Sequence, residues 1–366
     1  MWKISLNYDW ETLQQFSWVR DMEGVPQSPV HHAEGDVAIH TRMVMTALQQ
    51  LPEFELLSEQ EQHVLMAAAL LHDVEKRSTT QTDENGEIVS PGHAKKGAQT
   101  TRGILYREIE TPFAIREAIV GLVRYHGLPL WVFQKEEPVK YLLRSSFEVN
   151  TRLLVMLAKA DVLGRICADQ EELLYRIELF RELCIEQGCY GAPKTFPSDL
   201  SRFSYFRKEE QSADYEPFDD TSSEVVLLSG IAGSGKDYYI KKQLADYAVI
   251  SLDELRRKTK VDHNDAQGNG RIIQEAKETA REYLRKKKNF VWNATNITAQ
   301  MRSQLIDLFS LYHPHIRIVY LEVPYKKLIS QNNNRDFPIP TAAVERMINK
   351  LEVPKAWEAH EITYVV

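Results

Sequence analysis

Val225-Val-Leu-Leu-Ser229 runs directly into Gly230-Ile231-Ala232-Gly233-Ser234-Gly235-Lys236-Asp237, and a helical pattern opens behind it. The first five residues have the length and apolarity of a buried strand. A glycine-rich turn between strand and helix wraps its backbone around an anion, with successive N–H groups pointing inward. The helix N-terminus adds partial positive charge and Lys236 adds a full one. The GxxxxGK spacing in this strand–loop–helix context is that of a Walker A phosphate loop. Asp237 stands where a Mg²⁺-binding Ser or Thr usually follows the lysine; its carboxylate is a hard ligand for Mg²⁺ but adds negative charge beside the phosphates.

Outward from this loop, strand patterns at residues 225–229, 248–251, 290–292, 316–321 and 362–365 alternate with helical ones. That alternation predicts a parallel α/β sheet. Ser251-Leu-Asp253-Glu-Leu-Arg256-Arg257 follows the second strand at the carboxyl edge of the sheet, where open α/β folds bind ligands. Asp253 is placed there to accept the proton of an attacking hydroxyl, and Arg256 or Arg257 to hold a substrate phosphate. The alternative role for Asp253 is to cap the next helix. The polar segment from Gln331 through Arg335 and Asp336 is bounded by Pro338 and Pro340. It suits a lid whose Arg335 neutralises a transferring phosphoryl group, or else a plain surface loop.

The first half reads as helical, with apolar residues three and four apart in EQEQHVLMAAALLHDVEK, PFAIREAIVGLVRYHG and NTRLLVMLAKADVLGR. His72-Asp73 interrupts the apolar stripe of the first of these, and Asp161 that of the third. Burying such groups is costly unless they are paired or bind metal. Helices that each present a polar ligand at one depth are how bundles build metal sites. With His40, His93 and His126 on further segments, the set combines imidazole and carboxylate without thiolate. That chemistry suits Mn²⁺, Mg²⁺, Fe²⁺, Co²⁺ or Ni²⁺ acting on phosphate esters. Lys76, about one turn beyond Asp73, is placed to reach phosphate oxygens.

The chain of 366 residues is long for one core. The acidic, aliphatic-poor stretch Glu209–Ser223 predicts a linker between an N-terminal domain at 1–208 and a C-terminal domain at 224–366. A net charge of -7 argues against bulk electrostatic grip on long duplex nucleic acid, though not against binding an end. Three cysteines, no signal-like start and no apolar run of roughly 20 residues predict a reduced, cytoplasmic setting without a membrane span.

The order H…HD…H…H…D resembles the HD superfamily of metal-dependent phosphohydrolases. The resemblance implies a first metal on His40, His72, Asp73 and Asp161. His93 and His126 would hold a second metal bridged by Asp73, or else contact the scissile phosphate. The stretch PQSPVHHAEGDVAIHTRMV is similar to the HD domains that accompany tRNA nucleotidyltransferases, which would put His32 and Glu34 at the substrate pocket. GIAGSGKD, SLDELR, WNATN and NNNRD resemble the 5′-hydroxyl polynucleotide kinases. This implies Asp253 as general base, Lys236 and Arg335 on the phosphates, Arg256 on the acceptor, and ATP or another NTP with Mg²⁺. Asn293, at the end of the third strand, departs from the acid that many relatives carry there.

As a whole the chain resembles bacterial fusions of an HD phosphohydrolase with a polynucleotide kinase. The expected architecture is an all-helical HD domain followed by a P-loop parallel sheet flanked by helices. The implied activity is healing of RNA, or DNA, ends: removal of 2′,3′-cyclic or 2′- or 3′-phosphate and phosphorylation of a 5′-hydroxyl, with a separate RNA ligase to seal them. Two alternatives stay open from the residues alone. One is a nucleoside or sugar kinase joined to an HD nucleotidase; the other is a nucleotide-sensing protein.

Overall fold

A computed structural model describes every residue except Leu6, His263, Asn264 and Asp336. It divides into two compact units, Met1–Thr195 and Phe196–Val366.

The first unit is built on six principal helices: α1 (Val37–Gln50), α2 (Glu59–Leu71), α3 (His93–Arg107), α4 (Phe113–Tyr125), α5 (Thr151–Leu163) and α6 (Gln170–Glu186). Helix α2 is central. Its start is fixed by a capping box in which Ser58 and Glu61 satisfy each other's backbone N–H groups. From Val64 to Leu71 every side chain is buried, as expected of a helix that is apolar all round. Helices α1, α4 and α5 pack on it, α3 packs on α4, and α6 on α5. The unit is helical as expected, apart from a minimal hairpin pairing Gln81–Thr82 with Ile88–Val89 in the polar QTDENGEIV stretch.

In the second unit, α7 (Asp199–Arg207) precedes the alternating elements β1 (Glu224–Ser229), α8 (Lys236–Gln243), β2 (Ala248–Ser251), α9 (Leu252–Thr259), α10 (Ala266–Arg285), β3 (Phe290–Asn293), α11 (Ala299–Ser310), β4 (His315–Leu321), α12 (Tyr325–Asn333), α13 (Thr341–Asn349) and β5 (Glu361–Val365). The five strands form one parallel sheet in the order β2-β3-β1-β4-β5. Strand β1 is central, and alternation along it feeds two cores. Val225 and Leu227 face α10 and α11 through Ile272, Ala276, Leu305 and Phe309. Val226 and Leu228 face α8 through Ile240 and Leu244.

Helix α7 lies in the second unit, whereas a boundary at 209–223 put it in the first. Phe203 is buried in the apolar cluster of the sheet, and Arg202 donates to the Ala356 carbonyl at 3.0 Å. The composition shift at Glu209 therefore marks an exposed connection inside the second unit. Replacing Phe203 with Ala removes a buried aromatic from that core. It should cost about 3–5 kcal/mol and raise hydrogen–deuterium exchange in β3 and β4 while leaving α1–α5 unchanged.

Candidate active sites

In the first unit the fold carries His40 on α1, His72-Asp73 just past α2, His93 at the start of α3, His126 just past α4, and Asp161 in the last turn of α5. Asp36 caps α1 by accepting from the Ile39 N–H at 2.8 Å. All six polar residues converge, and all but His93 are buried. Two groups share Asp73. His40, His72 and Asp161 place ligand atoms within 4.8 Å of one another, and so do Asp73, His93 and His126. Asp73 Oδ2 lies 3.2 Å from His72 Nε2 and 3.8 Å from His40 Nε2. Asp73 Oδ1 lies 3.4 Å from His93 Nε2 and 3.9 Å from His126 Nε2.

The outer nitrogens fix which atoms face inward. His72 Nδ1 lies 2.7 Å from the Ala69 carbonyl, His93 Nδ1 2.7 Å from that of Ser90, and His126 Nδ1 2.9 Å from that of Val123. A carbonyl can only accept, so each Nδ1 carries a proton and each ring aims its Nε2 into the site, where a neutral ring offers a lone pair. His93 Nε2 and His126 Nε2 face each other at 3.3 Å. His72 Nε2 and Asp73 Oδ1 are buried without a hydrogen-bond partner. Acceptors crowded together with no donor among them fit a divalent cation. Burial lowers the His126 pKa to about 3, with His72 and His93 adding to the shift and Asp73 opposing it, which favours the neutral form that a ligand needs. Burial raises both carboxylates, but Lys76 and His72 outweigh it for Asp73, and Arg165 and His40 for Asp161, so both stay ionised.

Lys76 donates to Gln27 Oε1 at 2.7 Å, and its ammonium lies 2.7 Å from Asp73 Oδ2. Arg165 grips Asp161 with two nitrogens, at 2.5 and 3.1 Å. Sequence reading missed this arginine; its only trace was a position four residues past Asp161, at the helix end. Two cavities, of about 530 and 260 Å³, open beside the cluster. His32 lines both, as the resemblance implied, whereas Glu34 lines neither. Its carboxylate instead bridges His32 Nδ1 at 2.8 Å and His40 Nδ1 at 2.9 Å, bracing both rings.

In the second unit Gly230 turns at φ +154°, and a Cβ there would meet the Leu321 carbonyl oxygen at 2.5 Å, so only glycine fits. Gly233 and Gly235 also have positive φ. The loop is tied down from below: Gly230 N–H donates to the Thr295 carbonyl, Ser229 Oγ to that of Asn296, and Asn296 Nδ2 to that of Leu228. Arg302 donates at 3.1 Å to the Asn296 carbonyl and bidentately to buried Glu358.

Lys236 donates to the carbonyls of Gly230 and Ile231 at 2.8 and 3.0 Å. Burial lowers its pKa to about 8, although Asp237 and Asp253 oppose the shift. Lys236, Asp237, Asp253, Arg256 and Arg335 all line a cavity of about 570 Å³. Arg257 does not line it and is exposed on α9. Ser251, not Asp253, caps α9, accepting from the Glu254 N–H. Asp253 instead presents an exposed carboxylate that is paired with Arg256. The two departures from the usual Mg²⁺ scheme meet: Asn293 Nδ2 donates to Asp237 Oδ1 at 2.8 Å. The lid segment is clasped at its ends, because Asn332 donates to the Ile339 carbonyl at 2.7 Å and accepts from its N–H at 3.1 Å. Asp336, read as part of that lid, lies outside the described residues.

Residues 37–164 match the HD domain family and residues 225–354 an AAA domain family. Over 103 residues the chain is 35% identical to a multifunctional CCA protein of Halorhodospira halophila, a match covering 28% of this chain and 22% of that protein. The chain thus spans about a fifth of the length of that curated relative. Two solved structures each align with 40% of the chain. One, from Chloroflexus aurantiacus and described as a kinase, is covered over 86% of its length at 11% identity and TM-score 0.34. The other is a gluconokinase from Sinorhizobium meliloti, covered over 85% at 16% identity and TM-score 0.30. The chain therefore joins a helical segment similar to HD domains to a parallel-sheet segment similar to AAA domains, the second carrying the P-loop.

The Lys236 shift sets a pH signature. The ammonium is charged below about pH 8 and lost above it, whereas phosphate contact requires the charge. Nucleotide affinity should fall as pH rises through 8, by up to about tenfold per unit, with proton uptake on binding. Calorimetry in buffers of different ionisation enthalpy reads that uptake directly.

Proposed function

We propose that the chain heals broken RNA ends, removing a 2′,3′-cyclic, 2′- or 3′-phosphate in its HD domain and phosphorylating a 5′-hydroxyl in its P-loop domain. The observation that carries this reading is that each site offers phosphate-binding cations beside room for a larger substrate. Lys76, Arg165 and His32 line the hydrolytic cavities. In the other site, Asp253 and Arg256 share their cavity with Trp292, Met301 and Leu305, an apolar wall suited to a nucleoside. The similarity of one segment to a CCA protein supports nucleic-acid ends over sugars.

In the HD domain, His40, His72, Asp161 and one oxygen of Asp73 would hold one divalent ion. His93, His126 and the other Asp73 oxygen would hold a second, the metal being Mn²⁺, Mg²⁺, Co²⁺, Ni²⁺ or Fe²⁺. Bound there, the ions supply Lewis acidity and an acidified water. The chain's own groups do the rest: Lys76 and Arg165 neutralise the phosphate oxygens, and Glu34 keeps His40 and His32 oriented. In the P-loop domain, residues 230–237 cradle the triphosphate with Lys236, and Arg335 covers the γ-phosphate. Asp237, steadied by Asn293, would hold Mg²⁺. Asp253 accepts the proton of the acceptor hydroxyl as its oxygen bonds to the γ-phosphorus and the bond from that phosphorus to the β–γ bridging oxygen breaks, releasing the nucleoside diphosphate; Arg256 directs that carboxylate and meets the acceptor.

Incubation with [γ-³²P]ATP and either a 5′-hydroxyl oligonucleotide or free nucleosides and sugars tests the reading. Label should enter the oligonucleotide; label on small molecules alone would overturn it in favour of a nucleoside or sugar kinase. Asp73→Ala should lower metal-dependent phosphate release at least about a thousandfold and leave phosphoryl transfer intact. Lys236→Ala and Asp253→Ala should do the reverse.

A further inference from the structure

Five side chains line both cavities of the HD domain: His32, Lys76, His93, Arg165 and Trp131. Four are cationic or imidazole groups suited to a phosphate. The fifth is a broad apolar plane. Trp131 follows His126 by five residues, through Gly127 and the short helix Leu128–Trp131, so the segment that leaves the metal-binding cluster delivers it to the rim. Its neighbours Leu130 and Val132 are buried at 5% and 0% exposure, yet Trp131 is 42% exposed. The local packing is complete without it, and leaving an indole in water forgoes a large hydrophobic gain.

One part of the ring already has a cationic neighbour. Arg176 on α6 lies over it at 5.1 Å and is itself bound to Glu172. A guanidinium over one face favours this orientation of the indole and leaves the remainder of the ring to the cavities. Lys135 and Arg124 line the same cavity as Trp131 and add positive charge along its wall.

We propose that Trp131 is a stacking platform for the base of the nucleotide whose phosphate enters the HD site. The inference rests on the reading of that site as one acting on nucleic-acid ends. A base offers a π-face whatever its identity, so the platform gives affinity without sequence preference. It also separates nucleotide ends from bare phosphate esters. The phosphate then lies toward Lys76 and Arg165, and the base toward the rim.

The test is steady-state phosphate release by the full chain from two oligonucleotides: one ending in an ordinary 3′-phosphorylated nucleotide, the other in an abasic 3′-phosphorylated sugar. The wild type should show a KM about tenfold lower for the base-bearing end. Trp131→Ala should erase that difference by raising KM on the base-bearing end alone, with kcat little changed, and Trp131→Phe should keep most of it. Equal losses on both substrates, or none on either, would overturn the platform. Wild-type release from neither oligonucleotide, nor from matched ones ending in a 2′,3′-cyclic phosphate or a 2′-phosphate, would overturn the end-healing reading itself, and the platform with it. Release from both with equal KM would remove only the platform.

Discussion

Asp73 and Asp161 are ionised carboxylates buried at the ends of apolar helices, and the first unit is arranged around making that tolerable. Desolvation of an unpaired carboxylate costs several kcal/mol. Lys76, Arg165 and the imidazoles meet that cost, delivered by five segments of the bundle, His72 and Lys76 sharing one. The backbone carbonyls of Ala69, Ser90 and Val123 hold three rings with their lone pairs inward. The apolar length of α2 holds His72 and Asp73 at depth. Packing and ligation are therefore one problem here: the same burial that stabilises the bundle makes its centre short of positive charge, and a divalent ion answers that shortage.

The second unit has an equivalent constraint in Arg302. Fully buried, it reaches Glu358, the Asn296 carbonyl and the Glu352 carbonyl. It thereby joins the turn after β3 to the segment before β5, and Asn296 passes the tie to β1 directly beneath the phosphate loop. Removing one partner from such a buried pair typically costs about 3–5 kcal/mol. The precision of the loop is thus secured from beneath, by residues that meet no phosphate.

Much of this was legible in the chain. Strand and helix types followed from periodicity, the phosphate loop from its spacing, and His72-Asp73 and Asp161 from polar residues breaking apolar stripes; His40, His93 and His126 joined them through the resemblance of their order to the HD superfamily. What was not legible is three-dimensional in origin. Arg165 lies just past the end of α5, and nothing in its own sequence marks it as the partner of a buried carboxylate four residues earlier. Glu34 is read from sequence as a pocket residue but braces two histidines, since its carboxylate is nearer their rings than the cavity. Asp237 and Asn293 look like two separate oddities 56 residues apart until their side chains meet. Helix α7 fell on the wrong side of the boundary because it precedes the composition shift at Glu209; only Phe203 entering the core of the sheet reveals its owner. The roles of Lys236, Asp253 and Arg335 in transfer remain proposals resting on their shared cavity.

Gly164 has a consequence of its own. A Cβ there would stand 2.7 Å from the Val44 backbone nitrogen, and its carbonyl faces His40 Nδ1 at 3.2 Å. The cap of α5 consequently sits directly against Val44 of α1, backbone and side chain alike, with no room at position 164 for a side chain of its own. Any side chain at position 164 would therefore have to push α1 and the end of α5 apart, displacing His40 from Asp161 without touching either of them.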